Sequence, residues 1–171
     1  MVDLASYIRD IPDFPKPGIL FKDITTLLKH PAAFEASIQK LTQPYRDRGV
    51  DLVVGIESRG FIFGAALARE LNAGFIPIRK PGKLPAETVS ASYKLEYGMD
   101  RVEMHRDAIQ PGKRVLLVDD LLATGGTMSA ACRLVEEMKG EIVGIAFLIE
   151  LTFLEGRKKL GDREVFSLIR Y

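Results

Sequence analysis

Ten consecutive residues at positions 118–127, VDDLLATGGT, combine two carboxylates with a run of small and hydroxylated residues. A turn of this composition lets backbone N–H groups and hydroxyls converge on an anion, and the dipole of a helix that begins there also favours negative charge. Carboxylates accept hydrogen bonds from hydroxyl groups, whereas they would repel a bare phosphate. The pattern therefore predicts a ligand that carries hydroxyls beside a phosphate, and ribose 5-phosphate meets both requirements.

The acidic pair, Asp119 and Asp120, is predicted to hold the ribose hydroxyls, and the glycine loop, residues 123–127, to hold the 5-phosphate. The loop consists of Ala123, Thr124, Gly125, Gly126 and Thr127. The alternative is a plain strand–helix junction with Thr127 as the helix N-cap. The unbroken succession of strand, acids and threonines favours the sugar-phosphate interpretation, and neither the P-loop nor the dinucleotide-binding glycine pattern occurs in the chain.

Buried strands alternate with helices along the chain, and they must position this segment. Apolar runs predict strands, and apolar residues at helical spacing predict helices between them. The strands are predicted at residues 52–56, 74–78, 114–118, 142–149 and 165–169, with helices at 60–71 and after the glycine loop. The predicted fold class is α/β, a parallel sheet flanked by helices, whose ligands bind at the carboxyl ends of the strands.

The remaining segments carry weaker signals. Residues 2–9, 23–28 and 31–48 are predicted to be helical, with Gly49 as a C-terminal stop. The proline-rich residues 11–18 must be extended or turning, 81–90 is predicted to be an exposed loop, and 102–105 an edge strand.

Composition narrows the class of protein. The chain has 171 residues, which suits one domain, and its net charge of +1 argues against a polybasic nucleic-acid face. It contains no apolar run of membrane-spanning length and no leader-like N-terminal stretch, so we expect a cytoplasmic protein without membrane partners. The single cysteine, Cys132, falls on the predicted core face of a helix and is expected to be a buried thiol.

A second polar cluster, ESRG at 57–60, directly follows the buried strand 52–56. It therefore lies at the same edge of the sheet as the acidic pair and opens a helix. Arg59 offers a forked donor that suits phosphate oxygens, with a solvated surface arginine as the alternative.

The 118–127 run closely resembles that of the type I phosphoribosyltransferase family, which binds phosphoribosyl pyrophosphate. Four further segments match the adenine-using members in order: 14–25 (FPKPGILFKDIT), 57–64 (ESRGFIFG), 78–85 (IRKPGKLP) and 92–98 (SYKLEYG). The resemblance runs from about residue 11 to the C-terminus. It implies one phosphoribosyltransferase domain, residues 1–171, with a small N-terminal hood for base recognition at about 1–35 and a core at about 36–171.

The resemblance also implies a reaction: transfer of the 5-phosphoribosyl group from phosphoribosyl pyrophosphate to adenine, giving AMP and pyrophosphate. It implies a pyrophosphate site formed by Glu57, Ser58, Arg59, Arg79 and Lys83, of which the 57–60 loop can contain a non-proline cis peptide. Arg79 would reach the active site of a neighbouring subunit, which implies a homodimer. Mg²⁺ is expected as the cofactor, bound through substrate and water rather than by protein ligands.

Two further assignments concern the base. By resemblance Glu96 contacts N7 of adenine and acts as the catalytic proton donor, whereas without it Glu96 would be an ordinary surface residue. Base recognition is expected from main-chain groups of Leu20 and Lys22, with Phe21 stacking on adenine and Leu151 forming the opposite wall. As an alternative, Leu20 and Phe21 are simply core residues.

Two rival functions remain open at this point. One keeps the reaction but uses hypoxanthine, guanine or xanthine as the base. The other is a non-catalytic regulator that senses phosphoribosyl pyrophosphate and binds nucleic acid. The near-neutral charge and the intact segment 95–97 argue against the regulator.

Overall fold

The computed structural model describes residues 3–171, which form two compact units that meet in sequence between Lys40 and Leu41. The predicted division of a single domain at about residue 35 stays a prediction. The first unit begins with a 3₁₀ turn, Leu4–Tyr7, and contains an antiparallel hairpin of β1, Arg9–Pro12, and β2, Leu20–Asp23.

The helices of this unit are shorter than predicted. Residues 3–9 form one 3₁₀ turn and enter β1 instead of continuing as a helix, and Val2 lies outside the described residues. Helix α1 covers Thr25–Leu28, because Asp23 ends β2 and its carboxylate accepts hydrogen bonds from the backbone N–H and the hydroxyl of Thr25. These bonds, the Thr25 hydroxyl first, lower the pKa of Asp23 to about 2.

Helix α2 covers Pro31–Thr42 and passes into a 3₁₀ turn, Gln43–Tyr45. The prediction of one helix over 31–48 is therefore too long. Pro44 lacks the N–H that an α-helical hydrogen bond requires at this point. Gly49 adopts a positive φ of 60° after the helical region.

The second unit is built on a five-stranded parallel sheet in the order β4-β3-β7-β8-β9. Its elements are β3 Leu52–Ile56, α3 Arg59–Glu70, β4 Gly74–Ile78, β7 Arg114–Leu122, α4 Gly126–Glu137, β8 Glu141–Glu150 and β9 Val165–Arg170. Two 3₁₀ turns, Thr152–Leu154 and Gly156–Leu160, connect the last two strands. The predicted α/β class with a parallel sheet flanked by helices is confirmed.

Helices pack on opposite faces of the sheet. Gly64 of α3 lies against Gly55 of β3, so a Cβ on Gly64 would be 3.3 Å from the Gly55 Cα. The alternate residues of the strands, such as Val54, face α4 in the main core, because successive side chains of a strand point to opposite faces. Cys132 of α4 is fully buried there, as predicted, and burial raises the pKa of its thiol to about 11.

A separate antiparallel hairpin covers this core. It consists of β5, Thr88–Lys94, and β6, Met99–His105. The predicted loop 81–90 is thus wrong at its end, and the predicted edge strand 102–105 is longer and pairs with β5 outside the main sheet. Every second residue of β5 is buried, which explains why the segment is a strand.

Strand β7 also runs further than predicted, through the acidic pair to Leu122. Pairing of Leu121 with Ile149 and of Leu122 with Glu150 on β8 keeps the backbone extended beyond residue 118. The acidic pair therefore lies within the strand instead of following it. Within residues 3–171, every helix is too short or too polar to span a bilayer.

Candidate active site

Three adjoining cavities lie at the carboxyl ends of β3, β4 and β7. The acidic cavity, about 190 Å³, is lined by residues 56–59, 78–80, 102, 119, 120 and 127. The loop cavity, about 80 Å³, is lined by residues 119 and 121–128 together with Phe147. The hairpin cavity, about 670 Å³, is lined by residues 80, 93–96, 100, 124, 127 and 159. Thr127 borders all three, and Asp119 borders the first two, so the predicted ribose and phosphate residues meet in one place.

The acidic pair lies near the end of β7, beside the start of α3, with Asp120 buried and Asp119 half-buried. Burial, followed by the negative charge of Asp120, raises the pKa of Asp119 well above its usual range. Burial likewise raises the pKa of Asp120, although the Arg59 guanidinium opposes the change. Arg59 Nε lies 2.9 Å from Asp120 Oδ2. The two neighbouring carboxylates therefore bind protons more readily than free aspartates do.

A glycine at the start of α3 makes this packing possible. A Cβ on Gly60 would lie 2.7 Å from Asp119 Oδ1, closer than Cβ contacts in real structures. Asp119 Oδ1 in turn accepts the backbone N–H of Asp120 at 2.8 Å. The sequence ESRG therefore allows the helix and the acidic pair to approach each other.

Two buried polar atoms of this cavity lack hydrogen-bond partners. Among the side chains of residues 3–171, the two such atoms are Arg79 Nε and Asp120 Oδ2. Asp120 Oδ2 lies close to Arg59 Nε, but this contact does not have hydrogen-bond geometry. Both residues line the acidic cavity. Because buried polar groups are almost always satisfied, a donor and an acceptor left without partners in one cavity indicate a ligand with acceptor and hydroxyl groups.

The glycine loop presents the N-terminus of α4 without any side-chain cap. The N-cap is Gly125, whose φ of 81° favours glycine, and no side chain bonds to the first turn. The alternative of Thr127 as the N-cap is therefore wrong. The first N–H groups of the helix remain available for an anion, and the dipole favours one there.

Two of the predicted pyrophosphate residues, Arg79 and Lys83, pair with the carboxylate of a third, Glu57, whereas Arg59 pairs with Asp120. Glu57, joined to Ser58 by a cis peptide bond, accepts a hydrogen bond from the backbone N–H of Lys80. Its Oε2 lies 3.2 Å from Lys83 Nζ and 3.5 Å from Arg79 Nη2. Burial alone would raise the pKa of Glu57, but the hydrogen bonds from Lys80 and Lys83 and the charges of Lys83 and Arg79 outweigh it and lower the pKa.

Glu96 lies in the turn between β5 and β6, on the wall of the hairpin cavity. Thr124 and Thr127 of α4 and its preceding loop line the same cavity. The fold therefore brings the predicted proton donor into a space that opens on the glycine loop. The Glu96 side chain is exposed.

One polar cluster at this cavity was missed by the sequence analysis. Lys80 Nζ donates to Tyr93 Oη at 2.6 Å and forms a close ion pair with Asp100, whose carboxylate also accepts from Tyr93 at 3.0 Å. The alternation of β5 places Tyr93 on its buried face, but nothing local in the sequence indicates that Asp100 meets a lysine 20 residues away. Lys80 borders both the acidic and the hairpin cavities.

The residues predicted to bind the base lie in different units. Leu20, Phe21 and Lys22 belong to β2 of the first unit, and Leu151 follows β8 of the second. The Leu20 side chain is 49% exposed, which contradicts the alternative that it is a core residue. Phe21 packs edge-on against Phe14, and the buried Lys22 pairs with Asp10 at 2.7 Å.

Comparison with known proteins agrees with this geometry. Residues 23–169 match the model of the family described as "Phosphoribosyl transferase domain". The chain is 63% identical to the adenine phosphoribosyltransferase of Solibacter usitatus, covering 100% of this chain and 99% of that protein. It is 61% identical to the one of Koribacter versatilis, over 98% of this chain and 92% of that protein.

Solved structures agree as well. The adenine phosphoribosyltransferase of Thermoanaerobacter pseudethanolicus superimposes with a TM-score of 0.96 at 55% identity, over 99% of this chain and 98% of that one. The Saccharomyces cerevisiae enzyme, solved with adenine and an imino-altritol bisphosphate, gives a TM-score of 0.92 at 42% identity, over 97% and 96% of the two chains. This chain belongs to the phosphoribosyl transferase family, and the predicted family is confirmed.

Proposed function

We infer that this chain transfers the 5-phosphoribosyl group of phosphoribosyl pyrophosphate to adenine, giving AMP and pyrophosphate, a purine-salvage reaction. Two relatives named adenine phosphoribosyltransferase, each more than 60% identical to this chain over at least 92% of its own length, support the assignment. The observation that carries the chemistry is the acidic cavity, where Arg79 Nε and Asp120 Oδ2 are buried without a hydrogen bond, the second of them in an ion pair with Arg59.

The ribose 5-phosphate is proposed to bind between the acidic pair and the glycine loop. Asp119 and Asp120 accept the ribose hydroxyls, because an ionised carboxylate is a strong acceptor. Backbone N–H groups of residues 123–127 and the hydroxyls of Thr124 and Thr127 hold the phosphate at the start of α4. The negative charge of the acidic pair also favours the positive sugar that develops as the bond to pyrophosphate breaks.

Pyrophosphate is proposed to bind at residues 57–59, with Arg59, Arg79 and Lys83 as its cations. Charge accumulates on this leaving group during the reaction, so fixed cations and main-chain donors stabilise the transition state more than the ground state. Glu57 holds the side chains of Arg79 and Lys83 beside the cavity through its ion pairs with both.

The donor set fits Mg²⁺ that is bound mainly by the substrate. Residues 3–171 contain no cluster of three or more histidine, cysteine, aspartate or glutamate side chains that could hold a metal. The acidic pair nevertheless contributes hard oxygen acceptors, one of them lacking a hydrogen bond, beside the proposed hydroxyls. Mg²⁺ commonly binds through few protein carboxylates and several substrate and water oxygens. When bound, the ion would neutralise the departing pyrophosphate.

Glu96 is proposed to donate a proton to N7 of adenine while N9 attacks the sugar. Attack by N9 makes the other imidazole nitrogen more basic, so a positioned carboxylic acid lowers the barrier. Main-chain groups of Leu20 and Lys22 are proposed to read the exocyclic amine and N1, with Phe21 and Leu151 stacking on the ring. A 6-oxo purine reverses that donor–acceptor pattern and leaves groups unpaired, at about 1–3 kcal/mol each.

We also propose that the enzyme is a cytoplasmic homodimer to which Arg79 contributes across the subunits. Within one chain, the Arg79 side chain lies against its own Glu57, so it must leave this ion pair to reach a partner subunit. Analytical ultracentrifugation would test the assembly: a single species near 38 kDa, twice the chain mass of 19.0 kDa, is expected, and a 19.0 kDa monomer with full activity would contradict it.

The reaction is tested by measuring pyrophosphate release with a panel of bases, with and without Mg²⁺. We expect turnover with adenine that depends on Mg²⁺, and at least tenfold lower kcat/KM with hypoxanthine, guanine and xanthine, given the cost of unpaired groups. Preference for a 6-oxo purine would refute the adenine assignment. DNA binding without turnover of any base would instead favour the regulator.

The Glu96 role has its own variant. Glu96→Gln keeps the shape of the side chain but cannot donate a carboxylic proton, so kcat should fall about 10²–10⁴-fold while affinity for phosphoribosyl pyrophosphate is kept. Glu155→Gln changes an exposed glutamate outside the three cavities and is the control. Unchanged turnover in Glu96→Gln would remove Glu96 from proton transfer.

A further inference from the structure

The glycine loop rests on the backbone of a segment that follows β8. A Cβ on Gly125 would lie 2.4 Å from the carbonyl oxygen of Gly156, and a Cβ on Gly156 would lie 2.3 Å from the carbonyl oxygen of Ala123. Both distances are far below a normal van der Waals contact. The two backbones therefore touch without intervening side chains, and the position of Gly156 limits where the loop can lie.

The neighbouring Arg157 fixes this backing segment to the sheet. Its Nε and Nη2 bond to the two carboxylate oxygens of Glu150 at 2.7 and 2.8 Å. Its Nη1 donates to the carbonyl of Val165 at 2.8 Å, and Nη2 also reaches Ser167 Oγ at 3.2 Å. One side chain thus ties the 3₁₀ turn that begins at Gly156 to both β8 and β9.

The acceptor is itself held firmly. Glu150 is 5% exposed and lies at the end of β8, where it pairs with Leu122, the last residue of β7. Arg170 Nε adds a second positive group 3.5 Å from Glu150 Oε2. The hydrogen bonds from Arg157 are the main reason that the pKa of Glu150 is lowered, so the pair remains ionised at neutral pH. A two-bond arginine–carboxylate contact fixes orientation as well as distance.

We propose that Arg157 is a positioning residue for phosphate binding: through Gly156 it holds the glycine loop in the shape that accepts the 5-phosphate. It touches no substrate in this scheme. The inference rests on the proposed function, because it requires that the glycine loop binds the phosphate. Without the Glu150–Arg157 contact, Gly156 can retreat and the loop loses its backing, and small displacements of binding groups are costly in such sites.

The test compares two ligands by calorimetry on the full-length protein. AMP places a phosphate on the glycine loop, whereas magnesium pyrophosphate does not. In Arg157→Ala the dissociation constant for AMP should rise about tenfold while that for magnesium pyrophosphate changes less than twofold. In steady state, KM for phosphoribosyl pyrophosphate should rise with little change in kcat. Arg157→Lys keeps the charge but not the fork, and should show an intermediate loss of AMP affinity.

Arg163→Ala is the matched control. Arg163 donates two hydrogen bonds to one carboxylate oxygen of Glu136 and a third to the carbonyl of Leu160 at the end of the same turn, but it does not border the glycine loop. It should lower thermal stability and leave both affinities unchanged. Gly156→Ala approaches from the other side: its methyl group presses on Ala123 without disturbing Arg157, and should also weaken AMP selectively.

The outcomes distinguish a failure of phosphate binding at the glycine loop from a failure of the positioning role of Arg157. If the unaltered protein binds magnesium pyrophosphate but not AMP, the assignment of the glycine loop to phosphate fails. If it binds AMP and Arg157→Ala keeps the ratio of the two affinities, the positioning role of Arg157 is overturned. Should Arg157→Ala not fold, Arg157→Lys and Gly156→Ala decide by the same ratio.

Discussion

The carboxylates on two walls of the acidic cavity have pKa values that are shifted in opposite directions. On the pyrophosphate side, Glu57 is surrounded by Lys83, Arg79 and a backbone N–H, and its pKa is lowered. On the ribose side, Asp119 and Asp120 lie side by side with Arg59 as the nearby cation, and both pKa values are raised. Five of these six side chains, all except Lys83, line the acidic cavity.

The two walls differ in how many positive groups each supplies to its own carboxylates. The pyrophosphate wall has its own internal anion, which keeps two flexible cations beside the cavity at little cost. The ribose wall places the carboxylates of Asp119 and Asp120 side by side with Arg59 as the nearby cation. Asp120 Oδ2 is buried there without a hydrogen bond. These contacts support the proposal that Arg79 and Lys83 are preorganised for an anion that replaces Glu57, whereas the acidic pair repels itself until hydroxyl groups and a cation bind.

The largest expected effect breaks the ribose wall. Asp119→Asn keeps an oxygen for the Asp120 N–H but loses a charged acceptor for a hydroxyl, so kcat/KM should fall about 100-fold. The same variant should be more stable at neutral pH, because it removes a half-buried negative charge next to the buried Asp120. A gain of about 1 kcal/mol would raise Tm by about 2–4 °C in a chain of this size.

The pH dependence of this gain in stability follows from the raised pKa of Asp119. When the pKa of a carboxyl group is raised in the folded state, the folded protein loses stability as pH rises from the ordinary pKa through the raised value. The advantage of Asp119→Asn in urea unfolding should therefore be small in acid and open as pH increases above the ordinary value of 3.8. Asp107→Asn, an exposed aspartate, is the control. A loss of stability at neutral pH would refute the like-charge explanation.

A pH titration of binding sharpens the comparison, with an effect of about tenfold. As the acidic pair ionises, it becomes a better acceptor, so affinity for ribose 5-phosphate should increase with pH. Measuring Asp119→Asn in parallel cancels the ionisation of the phosphate itself. The ratio of the two affinities should rise with pH and then level off, and a flat ratio would show that ionisation of this pair does not govern binding.

The smallest effect concerns the pyrophosphate wall. Glu57→Gln retains an acceptor for the Lys80 N–H but releases Arg79 and Lys83, which then meet pyrophosphate without a competitor. Affinity for magnesium pyrophosphate should rise about threefold, and Tm should fall by no more than about 2–4 °C, since partly exposed ion pairs contribute about 0–1 kcal/mol.

Because the pKa of Glu57 is lowered, its contribution to stability is present above the ordinary value of 4.5 and is lost as pH falls through the lowered pKa. The stability difference between Glu57→Gln and the unaltered chain should thus close in acid, as it does for Asp119→Asn, but with the opposite sign: at neutral pH Glu57→Gln should be less stable than the unaltered chain, and Asp119→Asn more stable. Glu87→Gln removes an exposed ion pair with Arg106 and is the control. Weaker pyrophosphate binding in Glu57→Gln would mean that Glu57 supports the anion site instead of occupying it.

Much of the fold could be predicted from local pattern. The strands at 52–56 and 74–78 have the predicted bounds, because runs of apolar and β-branched residues between helices imply a buried parallel sheet. The resemblance of the 57–64 and 118–127 segments, together with their position after buried strands, also led to the side chains that line the cavities. Their individual roles remain predictions for the experiments above.

What only the tertiary structure decided involves groups distant in sequence. Pairing with β8 extends β7 through the acidic pair, and Lys80 joins Glu57 across 23 residues. Gly125 touches Gly156, and the fork of Arg157 holds that contact. A sequence determines local backbone preference and which face of an element is apolar. The partner that each polar group finds, and the pKa that follows, depends on long-range packing, which a local pattern does not contain.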